Sequence, residues 1–157
     1  MSEFNRICCP TDFSEASRPA MELAARLARR DGAGLTILHV TGTRWPGEQG
    51  AILPRPHSRE EDETALLARW TAEAERLAGS TVSSVLLSAP VAPAIVGFAR
   101  DDATDLIVMS SHGRTGFRRL VLGSVTEEVV RTATCPVLVV RGAEGTPGGD
   151  DEGGMPA

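Results

Sequence analysis

The residues whose types and spacing could do chemistry lie mainly between Met109 and Thr126, which read Met-Ser-Ser-His-Gly-Arg-Thr-Gly-Phe-Arg-Arg-Leu-Val-Leu-Gly-Ser-Val-Thr. The stretch follows a strand-like run, leads into a helix-like pattern, and contains Gly113, Gly116 and Gly123. Glycines let a backbone approach a ligand closely and adopt φ > 0, and the free N–H groups of a helix start point at an anion. The chemistry this suggests is the holding of phosphate. A second candidate is Pro10-Thr11-Asp12-Phe13-Ser14, a turn carrying one carboxylate. His112 could serve as an acid or base, but no nucleophile or paired carboxylate adjoins it in sequence, so a structural hydrogen bond is the reading adopted. His39 reads as a satisfied core histidine in a buried strand, and His57 as a loop residue. No cluster has protein metal-ligand spacing.

Composition removes several classes. All 16 basic residues are Arg. Without a lysine there is no P-loop of the G-x-x-x-x-G-K-[ST] type, no Schiff base and no adenylating lysine. Glu144, Asp150, Asp151 and Glu152 supply −4 of the formal net charge of −5, leaving −1 for residues 1–143. A nearly neutral body argues against a broad nucleic-acid footprint. No apolar run approaches the roughly 20 residues that cross a bilayer, and no leader pattern opens the chain, so a cytoplasmic protein is expected with no membrane partner. Cys8, Cys9 and Cys135 have no C-x-x-C or histidine companion and read as buried, reduced thiols, with Cys8 and Cys9 on opposite faces of a strand.

The elements that must position these residues alternate. Strands are expected at 6–10, 35–40, 81–87, 105–109 and 136–141. The first helix carries Ala20, Leu23, Ala24 and Leu27 at helical spacing and stops at Gly32 and Gly34. A second opens on Glu60-Glu61-Asp62-Glu63, which suits the positive end of a helix dipole, buries Leu66, Leu67, Trp70, Ala74 and Leu77, and ends at Gly79. Ser88-Ala89-Pro90 reads as a turn, and Pro93 suits the first turn of a helix to about Arg100. Ser124-Val125-Thr126-Glu127 has the form of a capping box opening a short helix to Thr132. Residues 41–59 form a long loop, of a length often used for lids or contacts. Residues 142–157 read as a disordered acidic Gly/Pro-rich tail after a single domain over 1–141. Strands apolar on both faces, each connected through a helix, mean an α/β, doubly wound domain: a five-stranded parallel sheet with helices on both faces. Ligands of such sheets bind beyond the carboxyl ends of the strands where strand order reverses. The loops after the first and fourth strands are the natural pair to meet there.

These residues together resemble the universal stress protein family. The resemblance rests on Pro10-Thr11-Asp12-Phe13-Ser14-Glu15, Asp105 to Met109, His112 to Gly116, Leu122 to Thr126 and Cys135 to Val140, and covers residues 4–141. ATP-binding members carry G-x2-G-x9-G-[ST]. Here Gly113 is the second glycine, nine residues (Arg114 to Leu122) separate it from Gly123-Ser124, and Ser110 replaces the first glycine. The family's G-x-P turn reads Ser88-Ala89-Pro90. The resemblance implies strand order 3-2-1-4-5 and a site for ATP, with any Mg²⁺ held by its phosphates. It implies that Asp12 faces the ribose or adenine, with Pro10 and Thr11 lining the pocket and Val40 packing near the adenine. Met109 and Ser110 would border the nucleoside. Gly113, Arg114, Gly123, Ser124, Val125 and Thr126 would hold the phosphates by amides and hydroxyls. It also implies a homodimer formed through strand residues 137–140.

Each assignment has a structural competitor. Asp12 could cap its turn, Ser124 could be only a helix N-cap with Glu127 returning the bond, and Gly113 and Gly123 could serve turns alone. Arg114 could be a solvated charge, and Arg118 and Arg119 are read as surface or oligomer contacts. Three functions follow: an ATP-binding stress-type regulatory protein with little or no turnover, an enzyme cleaving ATP at the α-phosphate, and a dimeric interaction module that binds no nucleotide. The second is disfavoured. No S-G-G-x-D-S or H-x-G-H loop follows the first strand, no general base is identifiable, no substrate domain is expected, and no lysine is available for a leaving pyrophosphate. Slow ATP hydrolysis is the most turnover this residue set suggests.

Overall fold

The computed structural model describes residues 2–42, 57–111 and 122–141. In chain order the elements are β1 (Arg6–Pro10), a short 3₁₀ turn (Glu15–Ser17), α1 (Arg18–Asp31), β2 (Gly34–Gly42), α2 (His57–Ala78), β3 (Ser83–Ala89), α3 (Val91–Asp101), β4 (Leu106–Ser110), α4 (Ser124–Thr132) and β5 (Val137–Val140). All recorded strand pairings are parallel and the order is β3-β2-β1-β4-β5, the doubly wound α/β arrangement expected. β1 pairs with β2 all the way from Arg6↔Gly34 to Pro10↔Leu38. Its pairing with β4 covers only Ile7↔Leu106 and Cys8↔Ile107. The ladder between β1 and β4 therefore stops two residues before the end of β1, at the point where strand order reverses and where sheets of this kind bind their ligands.

Alternation along each strand divides the core in two. Ile7, Cys9, Leu35, Ile37, Leu106 and Val108 face α1 and α2. Cys8, Leu38, Val40, Ile107 and Met109 face α3 and α4, where Ala92, Ile95, Ala99 and Val129 meet them. Cys8 and Cys9 do lie on opposite faces. Burial pushes the Cys9 thiol up to about 12 and Cys8 well above its ordinary value, so both are inert at neutral pH. Cys135 is free as well but only half-buried.

Several boundaries differ from expectation for identifiable reasons. The buried stripe of α1 is Ala20, Met21, Ala24, Ala25 and Ala28, so Leu23 and Leu27 lie at its margin. A face made mostly of alanine lets α1 approach the sheet closely. Gly32 ends α1 at φ +67° and Gly79 follows α2 at φ +68°, the left-handed conformation glycine adopts without steric cost. β3 begins and ends two residues later than periodicity suggests, because β2 continues to Gly42 and pairs Thr41↔Ser88 and Gly42↔Ala89. The turn expected over Ser88-Ala89-Pro90 shrinks to Pro90, which precedes α3. α2 starts at His57 within the loop expected over 41–59, so Glu61 to Glu63 lie beyond its first turn. Residues 43–56 and 142–157 lie outside the described residues.

One further turn carries strain. Ala103 joins α3 to β4 at φ +54° and is exposed. A left-handed alanine costs about 1–2 kcal/mol, of which glycine returns about half as unfolded-state entropy. Ala103→Gly is expected to stabilise the fold by about 0.5–1 kcal/mol, raising Tm by roughly 1–4 °C in thermal unfolding. An unchanged or lower Tm would show that the turn is not strained.

Candidate nucleotide site

The loop after β1 is built around Thr11, whose polar groups are all committed internally. Its N–H donates to the Leu38 carbonyl (2.8 Å), extending the β1–β2 ladder by one residue. Its carbonyl lies 2.7 Å from His39 Nδ1. Its hydroxyl accepts the Phe13 N–H (3.0 Å) and lies 3.1 Å from Ser17 Oγ. Ser17 Oγ itself donates to the Ser14 carbonyl (2.8 Å), so the hydrogen between the two hydroxyls belongs to Thr11. Phe13 takes φ +64°, rare for a bulky residue and characteristic of functional loops. Its ring lies 4.2 Å from His39 and 5.9 Å from Trp70, and Arg18 sits 5.0 Å over the Trp70 ring while pairing with Glu73 at 2.6 Å. This clasp holds Phe13 on the α1–α2 side of the sheet, beside the half-buried Asp12. Asp12 Oδ1 accepts the Ser14 N–H at 2.9 Å, so the carboxylate does cap its own turn. Capping by one oxygen is compatible with ligand contact.

The neighbouring strand β4 ends at Ser110, which pairs with Val140 of β5. The Thr126 hydroxyl donates to the Ser110 carbonyl (2.8 Å) and Thr126 is buried. Ser111 donates through its N–H to the Val140 carbonyl (3.0 Å) and accepts the Gly123 N–H at its own carbonyl (2.8 Å), which ties the end of β4 to the start of α4. Gly123, at φ −59° and ψ 154°, is the residue that caps α4, and no side-chain hydrogen bond caps this helix. The capping box is therefore not formed: Ser124 is the first helical residue and is exposed, and the Glu127 N–H donates to the Gly123 carbonyl (2.9 Å) as an ordinary helical bond. The amides of Ser124, Val125 and Thr126 are the N-terminal set that no helical carbonyl can satisfy. Such a set suits a phosphate.

Val40 and Met109 lie in one apolar cluster on the α3–α4 face, 8% and 5% exposed, so each can offer a ligand only a small apolar surface. Pro10 is buried at the end of β1. The structure thus brings Pro10, Thr11, Asp12, Val40, Met109, Ser110, Gly123, Ser124, Val125 and Thr126 to the carboxyl ends of β1, β2 and β4. Gly113, Arg114, His112, Arg118 and Arg119 lie outside the described residues. No group of three His, Cys, Asp or Glu side chains among the described residues could hold a metal ion.

Sequence reasoning missed Glu63, which was assigned to the helix dipole. Glu63 is 9% exposed, accepts the Thr41 hydroxyl at 2.6 Å, and lies 3.8 Å from His39 Nε2. The signal was present: Glu63, Leu67, Trp70 and Ala74 share one helical stripe. His39 is likewise only half satisfied, because Nε2 has no hydrogen-bond partner among the described residues.

Comparison with known proteins places this arrangement. The model of the universal stress protein family matches residues 3–141. Universal stress protein MJ0531 of Methanocaldococcus jannaschii is 34% identical over 142 residues, covering 88% of this chain and 82% of its own. Two solved structures share the fold. A universal stress protein in complex with cAMP has a TM-score of 0.70 at 22% identity, covering 90% of this chain and all of its own. The universal stress protein from Archaeoglobus fulgidus in complex with dAMP has a TM-score of 0.62 at 19% identity, with the same coverage. The motif residues, the strand order and the family match agree, and the chain belongs to the universal stress protein family.

Proposed function

We propose that this chain is a regulatory protein that binds an adenine nucleotide, ATP in the first instance, with little or no turnover. The observation that carries the reading is that two built loops follow the neighbouring strands β1 and β4 at their carboxyl ends. One is the Thr11-anchored loop bearing Asp12. The other is the glycine-capped start of α4 tied to β4 through Thr126 and Ser111. Related proteins of this fold in complex with cAMP and with dAMP support adenine as the base.

In this reading Asp12 accepts from the ribose or adenine, with Pro10 and Thr11 as the floor beneath it. Val40 and Met109 give the base its apolar contact. Ser110 borders the nucleoside with a side chain where ATP-binding relatives have a glycine, and its hydroxyl can donate to ribose or phosphate. The amides of Gly123 to Thr126, with Gly113 and Arg114, hold the phosphates, and Mg²⁺ enters as a partner of those phosphates. The reading assigns no general base, so the nucleotide acts as a signal and not as a substrate. The folded unit is residues 1–141, and the protein works in the cytoplasm. β5 lies at the edge of the sheet with Leu138 37% exposed, which suits pairing with a second copy. A dimeric module that binds no nucleotide is the second reading, and Ser110 is the residue that favours it.

Freshly purified protein, denatured and chromatographed, is expected to release stoichiometric adenine nucleotide. ATP at 100 times its Kd is expected to stabilise the protein by about 2.7 kcal/mol, a rise in Tm of roughly 5–10 °C. No released nucleotide and no shift with ATP would support the module instead. Gly113→Val is expected to abolish ATP binding with Tm and oligomeric state unchanged, and wild-type affinity in that variant would remove the segment from the phosphate site. Leu138→Arg is expected to convert the dimer to monomer in light scattering, and a dimer that persists would place the interface elsewhere.

A further inference from the structure

Buried polar atoms are nearly always paired, and an exception calls for an explanation. Among the described residues two buried side-chain atoms have no hydrogen-bond partner: Ser14 Oγ, in the loop after β1, and His39 Nε2, on the strand beside it. His39 is 5% exposed. Its Nδ1 lies 2.7 Å from the Thr11 carbonyl, which can only accept, so Nδ1 carries a hydrogen. In a neutral ring Nε2 is then a bare acceptor. It faces another acceptor, Glu63 Oε1, at 3.8 Å, while Glu63 Oε2 takes the Thr41 hydroxyl. Two acceptors cannot bond. One proton, on the ring or on the carboxyl, turns the approach into an attraction and completes a line from Glu63 on α2, through His39 on β2, to the carbonyl of Thr11.

That line runs along one face of the sheet. Residues 35, 37 and 39 of β2 face α1 and α2, whereas Leu38 and Val40 face α3 and α4. His39 thus grips the nucleotide loop from the side opposite Val40 and Met109. The same ring stacks on Phe13, whose φ +64° sets the direction of the loop beside Asp12. Glu63 sits two turns into α2 and Thr41 lies at the end of β2, so the chain segment between these elements is bracketed by the pair.

We infer that His39, sharing one proton with Glu63, is a positioning residue that couples the start of α2 to the Pro10–Asp12 loop and so sets nucleotide affinity from outside the site. This rests on the nucleotide-binding reading above. When the Glu63 contact is lost, the His39 ring is no longer held against the Thr11 carbonyl and Phe13, and Asp12 is presented less firmly. A glutamine at 63 preserves the contact without charge: its N–H donates to Nε2 while its oxygen accepts from Thr41.

The test uses the full chain with ATP as probe, measured well below Tm. Glu63→Ala is expected to weaken ATP binding about tenfold, the scale of one lost buried hydrogen bond, and Glu63→Gln to restore it to within about threefold. In the nucleotide-free protein, amide hydrogen exchange is expected to quicken at Phe13 and Ser14 in Glu63→Ala but not in Glu63→Gln, with α4 unaffected. The ¹⁵N signals of the His39 ring should report a protonated Nδ1 in the wild type and a tautomeric mixture in Glu63→Ala. Thr41→Val removes the hydroxyl donor isosterically and gives a second, milder loosening should Glu63→Ala fold poorly. Wild-type affinity and wild-type exchange in both Glu63→Ala and Thr41→Val would overturn the inference, as would equal losses in Glu63→Ala and Glu63→Gln. Should the wild type bind no adenine nucleotide, the functional reading fails by itself, and exchange at Phe13 and Ser14 alone decides the coupling.

Discussion

The left-handed backbone of Phe13 is the constraint on which the rest of this structure depends. A bulky residue at φ +64° costs about 1–2 kcal/mol, and it persists only where its surroundings over-determine it. Here they do. The Phe13 amide is bound by the Thr11 hydroxyl, and its ring is held between His39 and Trp70. Trp70 in turn packs under Arg18, which bonds Glu73. The turn conformation is thus fixed by residues from β2, α1 and α2 together. Ring contacts of this kind contribute about 0.5–1.5 kcal/mol each, enough to offset the strain.

The sheet supplies what that loop needs opposite it. Because β1 stops pairing with β4 after Cys8, the carboxyl ends of the two strands are free to serve different loops. Ser111 and Thr126 then fix the start of α4 against β4 and β5 by three short hydrogen bonds. One wall presents a carboxylate and the other a row of helix amides. That pairing suits a ligand with a hydroxyl-bearing sugar at one end and phosphates at the other, which is the physical content of the nucleotide reading.

Much of this was legible in the sequence because it is written in local patterns. The two faces of β1 follow from strand alternation at Cys8 and Cys9, and the ends of α1 and α2 from Gly32 and Gly79. The order of the strands was legible only through the family resemblance. What the sequence hid were choices made by tertiary packing. The motif Ser124 to Glu127 reads as a capping box, yet Gly123 takes the cap because its N–H is claimed by Ser111 across the loop. Leu23 looks like a core residue, yet α1 turns its alanines to the sheet and leaves leucines at the edge. Glu63 looks like one of four acids at a helix start, yet the helix begins earlier and turns it inward onto Thr41 and His39. Thr11 reads as a pocket residue, and only the structure shows that its side chain is also the post about which the loop turns.

The central claim is that one ligand spans both walls. An amide-resolved NMR titration with ATP tests it most directly. The account predicts that the amides of Asp12 and Phe13 and those of Ser124, Val125 and Thr126 shift together along a single saturable curve. Shifts confined to one wall, shifts that saturate at different ATP concentrations, or no shift at either wall would contradict it.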